Sequence, residues 1–268
     1  MKLAFSTLGC PDWTLEQIAE FAGASGFDGV ELRTHDDGRH LSPKVSVRQA
    51  AKVGRLFASR GTRVFSLSSY TRFDSSDPRE LAANRDMLLK VMDLAKAAGA
   101  DFVRTFAGEF GNRKSREQAV LDAAEYLAPC GARGREIGVT PGVETHDDWC
   151  DPANVRALQE KVGGGLGMVW DFPNAFALTG KGAREQFRGL QGTILYCHVK
   201  DWVKGPDGKH RYVPVGSGQV PVREAVQVLK ENALDLFLCF EHEKMWNPEL
   251  PEPEEALPGY VAFMRTIL

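Results

Sequence analysis

The feature that most constrains this chain is a regular alternation of short apolar runs with longer amphipathic stretches over its whole length. Most of the runs are continuously apolar, which is typical of parallel strands that are covered on both faces. We identify eight strand candidates: Leu3–Thr7, Gly29–Arg33, Arg63–Ser68, Phe102–Phe106, Val139–Thr145, Leu166–Asp171, Ile194–Lys200 and Leu236–Glu241.

The stretches between these runs carry the start signals of helices. Thr14 is followed three residues later by Gln17, which is the spacing of a capping box. The pairs Asp77-Pro78 and Asp151-Pro152 each place an N-cap residue before a proline at the first helical position. A last helix is predicted from Glu254 to Leu268.

Eight such strand–helix units, joined by right-handed crossovers, close most simply into a (β/α)₈ TIM barrel. The length of 268 residues fits one α/β barrel domain spanning residues 1–268. A doubly wound open sheet is the alternative, but it needs a glycine-rich phosphate-binding turn after the first strand, and Thr7–Trp13 is not one. The Gly-, Lys- and Pro-rich segment between Asp201 and Val213 is predicted to be a loop or small hairpin over the barrel mouth.

The charge balance argues against nucleic acid and membranes as partners, and the cysteine pattern bears on the redox state of the thiols. The chain has 36 acidic and 33 basic residues and no long Lys/Arg run, so we expect no binding to nucleic acid or membranes. No apolar run approaches the roughly 18 residues of a membrane span. The five cysteines are scattered and include no CxxC pair, which favours reduced thiols. We therefore expect a cytoplasmic protein.

Four of the later apolar runs end in residues that can bind a metal: Glu144, Asp171, His198 and Glu241. A TIM barrel keeps its active site at the C-terminal ends of its strands, so adjacent strands would direct these side chains to one point. Three buried carboxylates without partners are costly, and a divalent cation is the simplest group that makes them tolerable. This oxygen-rich set suits one divalent metal ion, Mn²⁺, Mg²⁺ or Co²⁺, and is compatible with Zn²⁺.

In this order and spacing the four residues resemble the metal ligands of the xylose isomerase-like TIM barrels, the sugar phosphate isomerase/epimerase family. Three local strings are similar as well: HVKD at His198–Asp201, PVGSGQV at Pro214–Val220 and FEHE at Phe240–Glu243. The resemblance covers essentially the whole chain. It has one departure, since family members often have His three residues after the strand-six Asp, where this chain has Asn174.

The resemblance implies a divalent-metal-dependent isomerase or epimerase of a small sugar, ketose or sugar-like hydroxy-carbonyl substrate. It implies proton abstraction beside a carbonyl and an enediolate stabilised by the metal. Glu144 and Glu241 would be the catalytic acid and base as well as metal ligands. Barrels of this family often pair, so a homo-oligomer is compatible with the resemblance.

Further residues near the predicted strand ends are candidates for substrate binding. Lys200 and His146 each lie two residues beyond a predicted ligand, so strand alternation makes an inward-pointing side chain plausible. Each candidate also has a structural interpretation as an ion pair or a packing contact, which the sequence does not separate from substrate binding. The candidates are Lys200, His146, Glu31, Arg104, Asn174 and Trp13.

Two other functions remain open at this point. A metal-dependent lyase or dehydratase of a keto-inositol type substrate would use the same four ligands, since fold and metal site do not fix the reaction. An abasic-site endonuclease of the same superfamily binds three zinc ions and needs extra histidines near strands three, four and six. The chain has Ser68-Ser69, Phe106 and Asn174 there and lacks a basic patch, so we rank this function lower.

Overall fold

The computed structural model describes residues 1–111 and 115–268. Eight parallel strands form a closed barrel in the order β1-β10-β7-β6-β5-β4-β3-β2, so the predicted TIM barrel is confirmed. Each predicted strand is present within one residue of its expected bounds. The strands are β1 (Lys2–Ser6), β2 (Gly29–Arg33), β3 (Val64–Ser68), β4 (Phe102–Thr105), β5 (Thr140–Glu144), β6 (Gly167–Asp171), β7 (Ile194–Val199), β8 (Asp201–Lys204), β9 (His210–Val213) and β10 (Phe237–Phe240).

Helices connect the barrel strands, and three of them start where the sequence predicts. The Thr14 hydroxyl accepts from the Gln17 N–H in a full capping box, and Asp77 and Asp151 each cap a helix that begins with proline. In the described ranges no helix is both long and apolar enough to cross a lipid bilayer. The helices are α1 (Leu15–Ala24), α2 (Val47–Ser59), α3 (Pro78–Ala98), α4 (Arg116–Ile137), α5 (Pro152–Val162), α6 (Phe172–Thr179), α7 (Ala183–Leu190), α8 (Val222–Glu231) and α9 (Pro253–Arg265).

Apolar side chains close the lower part of the barrel and leave the polar residues above them. The rings of Phe65 and Phe237 stack with centroids 4.2 Å apart, and Tyr196 packs edge-on against Phe65. Because side chains alternate along a strand, Tyr196 and His198 point to the same face of β7. The apolar layer therefore lies directly below the inward-facing histidine.

The segment between Asp201 and Val213 forms an antiparallel hairpin, β8–β9, which confirms the hairpin alternative of the prediction. Its Trp202 ring is stacked between the rings of Phe176 and His210, with centroid distances of 5.5 and 3.8 Å. These stacking contacts fix the hairpin against α6 at the C-terminal end of the barrel.

Asp201 links two of the sequence strings that carry the family resemblance. Its buried carboxylate accepts the backbone N–H groups of Gly216, Gly218 and Val220 at 2.9, 2.8 and 3.0 Å. A Cβ at Gly218 would lie 2.2 Å from Asp201 Oδ1, so only glycine allows this approach. The aspartate of HVKD thus holds the glycine turn of PVGSGQV.

Candidate metal centre

The structure brings all four predicted metal ligands together at the mouth of the barrel. His198 Nδ1 lies 3.3 Å from Glu144 Oε1, 3.4 Å from Glu241 Oε1 and 3.7 Å from Asp171 Oδ2. Ligand atoms of the four residues all lie within 4.8 Å of one another, and all four residues are buried. Strands β5 and β6 end in Glu144 and Asp171, β7 carries His198, and Glu241 follows β10 directly.

The donor set of this cluster fits a divalent cation. One proton on His198 Nδ1 cannot satisfy three carboxylates at once, whereas a cation can be shared by all of them. Glu144 Oε2 is buried without a hydrogen bond from any described residue, although Arg104 Nε lies 3.3 Å away. Three carboxylate oxygens and one imidazole nitrogen could therefore hold Mn²⁺, Mg²⁺, Co²⁺ or Zn²⁺.

Each of the four ligand residues is held by a second contact, so that the ligand atoms keep facing one another. Such outer contacts orient the ligands before a metal binds. The contacting groups are Arg104 Nε for Glu144 at 3.3 Å, the Asn174 backbone N–H for Asp171 at 2.8 Å, Glu31 Oε2 for His198 at 2.9 Å and Lys200 Nζ for Glu241 at 2.5 Å.

Lys200 lines the mouth with all of its donors directed at carboxylates. Its Nζ lies 2.7 Å from Asp171 Oδ2, 2.5 Å from Glu241 Oε2 and 3.1 Å from Glu243 Oε1. Burial lowers the pKa of Lys200, but the carboxylates of Asp171, Glu241 and Glu243 together raise it well above its ordinary value. The side chain is therefore a buried ammonium ion that offsets part of the negative charge of the cluster.

A cavity of about 260 Å³ lies beside the ligand cluster. Its walls combine charged and polar groups with aromatic rings. Four of the predicted substrate-binding residues line it, namely Arg104, His146, Asn174 and Lys200. The remaining lining residues are Leu8, Tyr70, Phe106, Glu144, Tyr212, Glu241, Glu243 and Trp246.

Arg104 offers this cavity a donor that no described residue accepts. The guanidinium lies against the ring of Phe106, with Cζ 4.2 Å from the ring centroid, and it donates through one Nη to the Ser68 hydroxyl. Its other terminal nitrogen, Nη1, is buried and has no acceptor in the described part of the chain. An unpaired buried donor of this kind favours binding of an additional oxygen atom.

The structure does not bring Glu31 and Trp13 to this cavity. Glu31 is fully buried below His198, where β2 faces β7 across the barrel, and its two carboxylate oxygens contact His198 and Tyr196. Trp13 follows a short helical turn after β1 and packs on Phe21 with ring centroids 5.0 Å apart. It lines a different hollow beside α1, because the turn after β1 directs the chain toward that helix and away from the mouth.

Three polar residues that line this cavity were not predicted. Glu243 lies two residues beyond Glu241, and the alternation argument that selected Lys200 and His146 would have found it. Tyr70 follows β3 in an irregular loop, and Tyr212 reaches the cavity only because the hairpin folds back. No local pattern in the sequence predicts that these two tyrosines line the cavity.

Residues 19–267 match the family model of the xylose isomerase-like TIM barrels. The chain belongs to that family. No curated protein sequence is similar enough to count as a match for this xylose isomerase-like barrel.

Solved structures of the same fold cover nearly the whole chain. A D-psicose 3-epimerase determined in the presence of D-fructose has a TM-score of 0.79, 13% identity, and coverage of 100% of this chain and 99% of that chain. The IOLI protein with a bound zinc atom has a TM-score of 0.80, 19% identity and coverage of 100% and 98%. The probable 3-DHS dehydratase AsbF from Bacillus anthracis has a TM-score of 0.78, 16% identity and coverage of 99% and 99%. At these identities the similarity shows the fold.

Proposed function

We propose that this xylose isomerase-like barrel is a divalent-metal-dependent isomerase or epimerase of a small sugar, ketose or related hydroxy-carbonyl compound. The convergence of Glu144, Asp171, His198 and Glu241 beside a polar cavity carries this proposal. A bound divalent ion would act there as a Lewis acid toward negative charge on substrate oxygens. The shared fold with a D-psicose 3-epimerase and with a zinc-containing protein supports the same function.

Glu144 and Glu241 would transfer the proton. They extend from different strands on either side of His198, and both line the cavity. Burial and the charge of Glu241 raise the pKa of Glu144, but Arg104 and His198 lower it by more. The pKa of Glu144 is therefore below its ordinary value, and the carboxyl group is ionised near neutral pH. The pKa of Glu241 is lowered as well, because His198 and Lys200 outweigh its burial. Each carboxylate can therefore accept a proton from a carbon beside a carbonyl, and inversion of that carbon would require the opposite carboxyl group to carry a proton that it delivers to the other face.

The other lining residues would bind and orient the substrate. Arg104 Nη1, which has no acceptor among the described residues, is a charged donor for a carbonyl or hydroxyl oxygen, and the side chains of His146 and Asn174 line the same cavity. The donors of Lys200 are directed at three carboxylates, so its positive charge would reduce the net negative charge that the oxygen atoms of a polar substrate meet. Aromatic rings such as Phe106 and Trp246 would contact the apolar face of a sugar.

A dehydratase acting through the same ligands is the second candidate. His146 favours it, since this residue lines the cavity and its Nδ1 lies 2.9 Å from Asp147 Oδ1, an arrangement that can deliver a proton to a leaving hydroxyl. The fold shared with a probable 3-DHS dehydratase agrees with this alternative. The two reactions differ in their products, because dehydration removes one water from the substrate.

Deuterium exchange tests both candidates together. We would incubate Mn²⁺-loaded protein in D₂O with a panel of ketoses, keto-inositols and hydroxypyruvate, and follow the products by NMR and mass spectrometry. The proposal predicts deuterium at a carbon beside the carbonyl of at least one compound, and no exchange with Glu241→Gln. Loss of water from a keto-inositol would favour the dehydratase. Equal exchange by wild type and Glu241→Gln would refute the assignment of the proton-transfer residue.

A further inference from the structure

Glu31 contacts the candidate metal centre from below. It lies on β2, on the side of His198 opposite to the other ligands, and its Oε2 is 2.9 Å from His198 Nε2. Both side chains are fully buried. The second ring nitrogen, Nδ1, faces the carboxylates of Glu144, Asp171 and Glu241. The imidazole is thus placed between one carboxylate below and three above.

This arrangement selects one tautomer of the histidine. A neutral imidazole has one N–H donor and one lone pair, and a carboxylate at hydrogen-bond distance accepts the hydrogen. Glu31 at 2.9 Å from Nε2 is closer than Glu144 at 3.3 Å from Nδ1, so when a cation takes the lone pair of Nδ1 the remaining hydrogen belongs on Nε2, toward Glu31. Because both side chains are fully buried, bulk solvent does not reach this hydrogen bond.

Glu31 is itself held in place by a chain of hydrogen bonds across the barrel. Its Oε1 accepts the Tyr196 hydroxyl at 2.5 Å, and that hydroxyl lies 3.0 Å from Ser66 Oγ. The Tyr196 ring packs against Phe65 in the apolar layer. The chain from Ser66 to His198 joins β3, β7 and β2, so the orientation of His198 is coupled to the packed interior.

We propose that Glu31 is a positioning residue of the metal centre, which keeps the hydrogen of His198 on Nε2 and thereby presents Nδ1 as a ligand. The inference rests on the metal site of the proposed function. A carboxylate that accepts the remote N–H of a ligating histidine fixes the ring and increases its basicity as a ligand, and loss of such a partner typically weakens metal binding about 10–100-fold.

A second ion at Glu31 itself is the competing interpretation, because Glu31, His198 and Cys239 also have potential ligand atoms within 4.8 Å of one another. Three contacts argue against it. Both oxygens of Glu31 are already engaged at hydrogen-bond distance, and Cys239 Sγ lies 4.0 Å away as a neutral thiol donor. The proposal therefore predicts one ion for each chain.

Metal affinity measured on matched variants tests the role of Glu31. We would compare wild type, Glu31→Gln, Tyr196→Phe and Glu243→Gln by competition with a chelator for Co²⁺ and Zn²⁺, and record the thermal unfolding of each metal-free protein. Glu31→Gln should weaken binding at least about tenfold, and Tyr196→Phe, which removes the hydrogen bond to Glu31, should weaken it by less. Glu243→Gln removes the same charge near the cluster without touching His198, so a smaller change than in Glu31→Gln is expected.

The tautomer gives a readout that general destabilisation would not change. In Zn²⁺-loaded protein with ¹⁵N-labelled histidine, wild type should show a protonated Nε2 on His198, with its proton shifted downfield by the carboxylate. In Glu31→Gln that proton should move upfield, and Tyr196→Phe tests the same chain if Glu31→Gln does not fold.

The possible results separate the two proposals. One bound ion with unchanged affinity and an unchanged His198 spectrum in Glu31→Gln would overturn the positioning role and leave the proposed function standing. Two ions per wild-type chain would overturn the positioning role in favour of a site at Cys239. A wild-type protein that binds no ion would overturn both proposals.

Discussion

Lys200 Nζ lies 2.7 Å from Asp171 Oδ2, while the other oxygen of Asp171 accepts the Asn174 N–H and caps α6. Asp171 therefore has three roles at one position, as candidate ligand, helix cap and ion-pair partner. Because both side chains are buried, the ammonium offsets part of the cost of ionised carboxylates in the barrel. This relationship makes the stability of the metal-free protein depend on Lys200.

Replacement of Lys200 by Met should destabilise the protein most strongly when metal is absent. The change leaves Asp171 and Glu241 buried without their cation, and breaking such a pair typically costs about 3–5 kcal/mol. We expect this loss in the free energy of unfolding measured with urea in the presence of a chelator. Added divalent metal should stabilise Lys200→Met more than wild type. A loss below about 1 kcal/mol in chelator would contradict the buried ion pair.

Replacement of Asp201 by Asn should release the glycine turn over the barrel mouth. Gly216 and Gly218 both donate to Oδ2 and Val220 donates to Oδ1, whereas an amide has only one accepting oxygen, so its NH₂ group would face at least one backbone N–H that loses its partner. The expected decrease in unfolding free energy is about 2–3 kcal/mol. Asp207→Asn, at the exposed tip of the same hairpin, is the matched control and should change stability by less than about 0.5 kcal/mol. Equal effects of the two substitutions would be inconsistent with the role of Asp201.

His40 should make the protein less stable in mild acid. Burial lowers its pKa from 6.5 to about 4, and its Nε2 lies 3.2 Å from the Cys10 carbonyl oxygen, which accepts its hydrogen. The unfolded chain binds a proton at this residue near pH 6.5, whereas the folded chain binds it only near pH 4. Stability is therefore lost as the pH falls between these values, by roughly 2–3 kcal/mol for this group.

The variant His40→Asn isolates that contribution. The backbone at this position has φ 52°, which asparagine tolerates. Urea unfolding of both proteins between pH 7 and pH 4 should show a steeper loss of stability in wild type than in His40→Asn. Parallel curves would mean that another group is responsible.

The barrel and the four ligand residues could be predicted from the sequence because both depend on local patterns. Continuous apolar runs identify buried parallel strands, and the strand-end rule then places Glu144, Asp171, His198 and Glu241 on one side of the barrel. The predicted strand bounds agree with the structure because the runs end abruptly in polar residues.

The surroundings of these ligands could not be predicted in the same way. The contact of Glu31 with His198 joins residues 167 positions apart, and only the closed barrel brings them together. Trp13 was expected at the mouth, but the short turn at Thr7–Gly9 directs the chain toward α1. Tyr212 depends on the register of the β8–β9 hairpin, in which it pairs with Trp202. Such contacts are properties of tertiary structure and leave no periodic signal.

Metal content decides whether the four clustered residues bind a divalent ion. We would load wild type and the double variant Glu144→Ala/Asp171→Ala with divalent metal, remove unbound ions and measure the metal by mass spectrometry, with circular dichroism to show that both are folded. We expect one divalent ion per wild-type chain and almost none in the double variant. Undiminished metal in the folded double variant would contradict this expectation.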